Sequence, residues 1–299
     1  MKKARLSQNT IVFNIIAYFY ISMFAFFCLL PFLMVVSGSF TDETSIALEG
    51  YRLIPAKFSL DAYKVAFGNP IVIFRAYAVT IFVTAIGTSV SLFFTSMAAY
   101  SLQRKDFRYR NVFAFFFYFT TIFSGGLVPW YILMVKYLQM KNSYLALIIP
   151  SLFNMFNMII IRSFMSSIPD SITESAKIDG ASDFRIFLQL ILPLSKSVLA
   201  TVSLFIALGY WNDWYLSMLF IEKENMYPLQ YFLYRILSKI DFLKNTASKS
   251  NIISIASISV PSESFKLAMT VIATGPIIFL YPYLQKYFIK GIMMGAVKG

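Results

Sequence analysis

Long apolar blocks separated by shorter polar segments set the pattern of this chain. Six of the blocks are long enough to cross the roughly 30 Å of hydrocarbon in a bilayer, which takes about 20 helical residues. The predicted spans are residues 11–36, 73–100, 112–134, 144–164, 198–220 and 267–284. Helices are required because lipid offers no partner for backbone amides, and the blocks are too long for barrel strands. The pattern predicts an all-α membrane protein with six transmembrane helices, in a single transmembrane domain covering residues 1–299.

Two blocks carry features that modify this outline. The third block contains Gly125, Gly126 and Pro129, which predict a kink or a break in that helix. The first block follows Lys2 and Lys3, as the apolar core of a secretory signal would. It is much longer than such a core, however, and no small-residue cleavage site follows it. We therefore expect the first block to be retained as a span.

The amino-acid composition indicates a lipid environment and excludes several kinds of catalytic site. Of the 299 residues, 58% are hydrophobic and 13% are charged, whereas a soluble domain carries about a quarter charged residues. The sequence has no histidine and one cysteine, which excludes histidine-based catalytic triads and an internal disulfide. It also lacks a Gly-x-x-x-x-Gly-Lys-Ser/Thr phosphate loop, so we expect neither ATP hydrolysis nor a bound cofactor or metal on this chain.

Positive charge is concentrated in three polar segments: the N-terminal segment, residues 101–110 and the tail after the sixth block. All three fall on one side of the membrane if the spans alternate, and Lys and Arg favour the cytoplasmic side. We therefore expect a multi-pass chain in the cell membrane with both termini in the cytoplasm. The net charge of +12 forms no basic face, so no nucleic acid partner is expected. The same topology makes residues 165–196 a cytoplasmic loop and residues 221–263 an external loop.

The cytoplasmic loop has the local signals of two short helices. Ser171 and Glu174 have the spacing of a capping box, which predicts a helix that starts one residue after the serine. Gly180 can end that helix in the left-handed conformation. Ser182 can cap a second helix, which should end before Pro193. On these grounds alone, the loop could equally be an ordinary helical connector lying on the membrane surface.

The same loop resembles the EAA loop of binding-protein-dependent ABC importer permeases. The resemblance lies in Glu174-Ser-Ala, Asp179-Gly-Ala and, about a dozen residues later, Leu-Pro193, with a serine in place of the family's central alanine. In that family the loop docks into a groove on a cytoplasmic ATPase, which implies that Glu174 and Asp179 face the ATPase and that the glycine sets the bend. The residues implied in coupling are Glu174, Ser175, Ala176, Asp179, Gly180, Ala181 and Pro193.

Other segments resemble the carbohydrate branch of these permeases, which is similar to the smaller permease of maltose systems. They are residues 53–63 and 291–299 and, for the oligosaccharide permeases within this branch, residues 210–214, 261–264 and 287–293. The resemblance implies the type I ABC importer permease fold and the import of a sugar or oligosaccharide by alternating access. It also implies a heteromeric complex with a sister permease subunit, two ATPase subunits that bind ATP and Mg, and an extracytoplasmic solute-binding protein. The external loop resembles the segment by which such permeases reach that binding protein.

The fifth block carries polar and aromatic residues at a depth where a sugar could pass. Asp213 lies about 15 residues from the cytoplasmic start of its span, or roughly two-thirds of the way across at about 1.5 Å per residue. Ionisable groups within a membrane are functional candidates by default, although Trp and Tyr there could simply anchor the helix at the outer interface. Two asparagines in the fourth block share a helical face and could line the pathway or bond to neighbouring helices. The pathway candidates are Asn154, Asn157, Tyr210, Trp211, Asn212, Asp213 and Trp214.

Two other classes of protein remain open at this point. An ion- or proton-coupled secondary transporter would use charged residues near the middle of the membrane, for which Asp213 is thin support. A membrane enzyme would need a nucleophile–base pair or a metal cluster in the spans, and the sequence contains neither. Uptake that requires ATP and ignores ion gradients would separate an importer subunit from a secondary transporter.

Overall fold

A computed structural model describes residues 8–250 and 263–278. Within these residues the regular structure is helical and contains no β-strand, so the predicted all-α fold class is confirmed. Residues 1–7, 251–262 and 279–299 lie outside the described part. They include both termini, part of the predicted external loop, the end of the sixth predicted span and the C-terminal segment of the family resemblance.

Helices follow one another along the whole described chain. In chain order they are α1 (Gln8–Ser39), α2 (Glu43–Glu49), α3 (Asp61–Ala66), α4 (Pro70–Gln103), α5 (Arg110–Ile122), α6 (Leu127–Ile132), α7 (Leu145–Ile148), α8 (Met155–Met165), α9 (Asp170–Ile178), α10 (Asp183–Ile186), α11 (Leu192–Leu194), α12 (Lys196–Asn212), α13 (Tyr215–Phe220), α14 (Leu229–Ser250) and α15 (263–278). π-helical turns at Leu133–Tyr137 and Phe187–Ile191 continue α6 and α10, and 3-10 turns occupy Ile149–Ser151 and Glu224–Met226.

Two of these helices, α1 and α4, are long and apolar enough to cross a membrane without interruption. Three further spans arise if each bent helix pair counts as one: α5 with α6 at 111°, α7 with α8 at 53°, and α10–α11 with α12 at 85°. The described residues therefore hold two to five candidate spans, and the sixth predicted span is described only up to residue 278. The break predicted in the third block is confirmed between α5 and α6, where Gly126 has a φ of 86°.

The helix predicted to end before Pro193 runs further. The π turn after α10 leads into α11, which contains Pro193, and the chain bends only at Ser195. A proline removes one backbone donor from a helix, and the wider π turn just before it already shifts the hydrogen bonds to a longer register. The predicted helix end is therefore wrong, because the proline is accommodated inside the helix.

The described helices form two compact units. The first unit contains α1 to α3, the second half of α14 and most of α15. Helix α1 exposes its apolar side chains over most of its length, as expected for a helix that faces lipid. At the start of α15, the Glu43 carboxylate accepts hydrogen bonds from the backbone amides of Glu263 at 3.0 Å and Ser264 at 2.9 Å. A carboxylate at this end of a helix also suits the positive end of the helix dipole.

The second unit runs from α4 to the first turns of α14. Its core is made of small and apolar side chains from α4, α7, α8 and α12. Fully buried members are Ala99, Ala146, Met158, Ile161 and Val202. Helices α4 and α12 meet at Gly87, against which the ring of Tyr210 packs. The Tyr210 hydroxyl donates to the carbonyl of Ile148 at 2.9 Å, so the same side chain also ties α12 to α7.

Candidate functional site

The predicted cytoplasmic loop begins with a helix whose start differs from the capping-box prediction. Helix α9 begins at Asp170, directly after Pro169, and no side chain of the described residues caps it. Pro169 has φ −57° and ψ 134°, the extended backbone that precedes a helix. Asp170 adds a carboxylate to the first turn, where the helix dipole favours negative charge. Ser171 and Glu174 therefore lie inside the helix, and the capping-box prediction is wrong.

The end of α9 and the start of α10 agree with the sequence prediction. Gly180 has a φ of 77°, the left-handed conformation that glycine adopts without strain. Its amide donates to the Lys177 carbonyl at 3.0 Å, and the Ala181 amide donates to the Ala176 carbonyl at 2.9 Å. These two bonds define a Schellman motif. Ser182 then caps α10 by accepting from the amide three residues later at 3.4 Å, so the predicted bent helix pair is confirmed.

The coupling candidates divide into exposed and packed positions. The exposed ones are Glu174, Ser175, Asp179, Gly180 and Pro193. Ala176 and Ala181 are half-buried and pack against the apolar core of the second unit, which holds the bent pair close to the spans. Two apolar side chains, Ile178 and Phe184, are 87% and 54% exposed on the same helices. Neither residue is predictable from the sequence, because a lone apolar residue in a polar loop carries no periodic signal.

Ion pairs attach this bent pair to the loop that follows α4. Arg104 in that loop pairs with Asp183 at the start of α10 and with its own neighbour Asp106. Asp106 also accepts from the ammonium group of Lys177 on α9 at 2.8 Å. Hydrogen bonds from Arg104 and then from Lys177 hold the pKa of Asp106 well below its usual range. In the sequence the basic residues of this loop indicated only membrane orientation.

The pairs differ in how well they are shielded from water. Lys105 and Asp170 are 3.0 Å apart, but their side chains are 81% and 57% exposed, and exposed pairs contribute little to stability. The Arg104 side chain is only 15% exposed, and its guanidinium lies 5.7 Å from the centre of the Tyr100 ring. Tyr100 in turn packs against Phe187 of the π turn, with ring centres 5.5 Å apart. The end of α4 is thus tied to both helices of the bent pair.

A second feature of this unit is a cavity of about 640 Å³ beside α8 and α12. Six of the seven predicted pathway residues line it, with aromatic and apolar side chains between them. The six are Asn154, Asn157, Tyr210, Asn212, Asp213 and Trp214. Trp211 is 7% exposed and is not part of the lining. The structure therefore brings most of the predicted pathway residues together, while their contact with a substrate stays a prediction.

The fifth predicted span is not one continuous helix. Helix α12 ends at Asn212, and a short helix α13 starts at Tyr215. The Asp213 carboxylate accepts from the amides of Tyr215 at 3.1 Å and Leu216 at 3.3 Å. These are the amides that the start of a helix leaves without a backbone partner. The predicted span over residues 198–220 therefore contains a break, because Asp213 caps a new helix inside the apolar block.

The two asparagines of the fourth block also differ from their predicted arrangement. Asn154 precedes α8, and its side-chain oxygen accepts from the Asn157 amide at 3.2 Å, so the first asparagine is a cap rather than a member of a helical face. Both side chains nevertheless reach the cavity. Carboxamides, a carboxylate and aromatic rings in one cavity suit a sugar, which presents hydroxyl groups and apolar C–H faces. Among the described residues, no cluster of three or more metal-binding side chains occurs.

Comparison with known proteins places these features in a family context. No family model matches the chain. The chain is 40% identical over 288 residues to the polygalacturonan/rhamnogalacturonan transport system permease protein YtcP of Bacillus subtilis, covering 96% of this chain and 99% of that one. It is 42% identical over 271 residues to protein LplC of the same organism, covering 91% and 90%.

A solved structure is similar over the same length. It comes from a bacterial ABC transporter involved in the import of the acidic polysaccharide alginate. Superposition gives a TM-score of 0.80 at 29% sequence identity, covering 96% of this chain and 100% of that chain. The similarity in sequence and in structure therefore extends over nearly the whole chain.

Proposed function

Because the chain belongs to the membrane permease subunits of carbohydrate ABC importers, we propose that its bent pair, α9 to α11, receives the movement of a separate ATPase and passes it to the spans. The chain is a transport subunit for a sugar or oligosaccharide. Its part in the cycle is alternating access, in which the spans open the cavity to one side of the membrane and then to the other.

The attachment of the bent pair to α4 carries this proposal. A left-handed turn at Gly180 holds α9 against α10, and Arg104 and Asp106 connect both helices to the end of α4. A stiff element with two such connections transmits a push as a rigid-body displacement. Glu174 and Asp179 are exposed on it and are the residues that we propose face the ATPase.

The proposal includes the partners and the topology of the complex. ATP and Mg bind to two ATPase subunits, a sister permease completes the pathway, and an extracytoplasmic solute-binding protein delivers the substrate. The lack of a phosphate loop in this sequence supports hydrolysis on another chain. Concentration of Lys and Arg in residues 101–110 supports a multi-pass chain in the cell membrane with cytoplasmic termini, and it assigns residues 221–263 to the outside.

We propose that the substrate passes through the cavity beside α8 and α12. Support comes from the polar groups of Asn154, Asn157 and Asp213, which lie between aromatic side chains at a break in a span. Breaks of this kind are tolerated in membranes where they line a cavity. One relative described above is named for the transport of polygalacturonan and rhamnogalacturonan, and the similar solved structure is involved in the import of the acidic polysaccharide alginate. We therefore propose oligosaccharides from polysaccharides of these kinds as the first candidates for this chain.

The experiment that tests the coupling proposal replaces Gly180 with valine. No atom lies within 4 Å of a side chain added there, so the change acts through the backbone, which a β-branched residue does not tolerate at a φ of 77°. In proteoliposomes with the partner subunits, we expect Gly180→Val to insert normally and to lose most of its sugar-stimulated ATPase activity and uptake.

Gly180→Asn is the matched control, because asparagine enters the left-handed region more readily than other residues. We expect it to keep much of the coupling. Uptake should require ATP, and an ion gradient without ATP should move no sugar. Normal coupling in Gly180→Val would contradict the proposed role of the bent pair, and uptake driven by the gradient alone would favour a secondary transporter.

A further inference from the structure

An aromatic stack rises from the cavity wall toward the start of α14. Trp214, which lines the cavity, stacks on Tyr234 with ring centres 4.5 Å apart and planes 24° from parallel. Both side chains are 39% exposed. Behind them, Tyr231 lies 6.4 Å from Tyr234 and 4.8 Å from Tyr227, and these two tyrosines are buried. The exposed pair is therefore a firm aromatic surface supported from below.

A guanidinium group is carried by the residue that follows Tyr234 and is held against Tyr227, at the buried end of the row of rings. Arg235 is exposed, lies 5.0 Å from the centre of the Tyr227 ring and donates to the Tyr227 hydroxyl. That hydroxyl in turn donates to the backbone carbonyl of Glu222 at 2.8 Å. Tyr227 thus orients the guanidinium through one hydrogen bond, and its own hydroxyl is fixed by the bond to the Glu222 carbonyl.

The charge of Arg235 is not neutralised by any carboxylate that the structure describes. The acid nearest in the hydrogen-bonded chain, Glu222, pairs instead with Lys141 at 2.7 Å. An arginine has five N–H donors in a planar fork that matches a carboxylate, and one hydroxyl occupies few of them. As far as the described residues go, this oriented and exposed guanidinium therefore has donors left for an external anion.

We propose that Trp214, Tyr234 and Arg235 form a subsite that selects an oligosaccharide carrying carboxylates, with a sugar face on the aromatic pair and a carboxylate on the guanidinium. This inference rests on the proposed import function and names its substrate class. Aromatic rings contact the C–H faces of any sugar, so they give affinity without distinguishing acidic from neutral rings. The discrimination comes from Arg235, and Tyr227 is a positioning residue for it.

The test measures binding of trigalacturonate and of its fully methyl-esterified form to the complete transporter in nanodiscs at low salt, by isothermal titration. The two probes share their rings and differ in charge. We expect the wild type to prefer the acid, and Arg235→Gln to weaken the acid about tenfold while changing the ester less than about twofold. The affinity of Arg235→Lys for the acid should lie between those of the wild type and Arg235→Gln, because lysine keeps the charge and loses the planar fork of donors.

Two further variants separate recognition of the carboxylate by Arg235 from a general effect of positive charge on binding. Lys223→Gln removes one positive charge from the same outer segment and should leave both affinities unchanged. Tyr227→Phe should reduce the preference for the acid about threefold, since the guanidinium loses one fixed partner. Equal losses for both probes in Arg235→Gln, the same effect in Lys223→Gln, or no acid preference in the wild type would each overturn the subsite. If ATP-driven sugar uptake persists while the preference for the acid is absent, the proposed import function is supported and only the proposed subsite is rejected.

Discussion

Replacing Gly87 with alanine adds a methyl group where α4 contacts the Tyr210 ring of α12. A Cβ atom there would lie 2.6 Å from Cζ of Tyr210 and 2.7 and 2.8 Å from the two Cε atoms. Carbon atoms in contact normally lie about 3.5–4.0 Å apart, so either the ring or the helices must move. The ring has little freedom, since it is 5% exposed and its hydroxyl is bonded to the Ile148 carbonyl.

The size of the effect follows from these contacts. Overpacking a well-packed core costs about 1–3 kcal/mol. Breaking the buried bond of the Tyr210 hydroxyl, if the ring gives way, costs about 1–3 kcal/mol more. Alanine recovers about 1 kcal/mol over glycine in a helix interior. The expected net loss of unfolding free energy for Gly87→Ala is therefore about 3 kcal/mol, which lowers the Tm by several degrees.

Thermal unfolding of the purified protein in detergent, followed by tryptophan fluorescence, measures this loss. Gly209→Ala is the matched control, because Gly209 precedes Tyr210 on the same helix and has no atom within 4 Å of an added Cβ. It should be neutral or stabilise by up to about 1 kcal/mol. Tyr210→Ala should remove most of the penalty of Gly87→Ala, giving a coupling of about 1 kcal/mol or more in a double-mutant cycle. Equal stability of Gly87→Ala and Gly209→Ala, or strict additivity with Tyr210→Ala, would refute the packing argument.

Three smaller predictions concern loops and helix ends. Because its folded pKa is lowered, Asp106 should stabilise the bent pair fully above the usual carboxyl pKa of about 4 and lose that contribution progressively as pH falls from there toward the lowered folded pKa. Below about pH 4, the Tm should therefore fall more steeply with acidification in the wild type than in Asp106→Asn. Glu43→Ala should speed hydrogen exchange at the start of α15 and cost about 1–2 kcal/mol, whereas Glu49→Ala, which removes an exposed ion pair, should change little. Asn142 has a φ of 57° and accepts two backbone amides, so Asn142→Ala should lower the Tm while Asn142→Asp, which keeps the acceptor, should not.

The sequence by itself determined the class of structure and the location of the bent helix pair. Apolar blocks of spanning length leave helices as the only backbone that lipid tolerates, so the fold class followed from block length alone. The turn at Gly180 was equally predictable, since a glycine between two polar helical segments favours a left-handed helix end through local geometry. The break near Gly126 was visible for the same reason. In each case the cause lies within a few residues of the effect.

Only the tertiary structure showed the features that depend on residues distant in the chain, or on which of two competing local signals prevails. Ser171 and Glu174 had the right spacing for a cap, but Pro169 started the helix earlier. Asp213 was recognised as an unusual charge, yet only its bonds to the amides of the next helix explain why the span breaks there.

The ion pairs of Arg104 and the orientation of Arg235 by Tyr227 likewise join separate segments. Sequence periodicity reports which face of a helix is apolar, and it carries no information on which polar groups of different segments meet. That information comes only from the packing that brings those segments together.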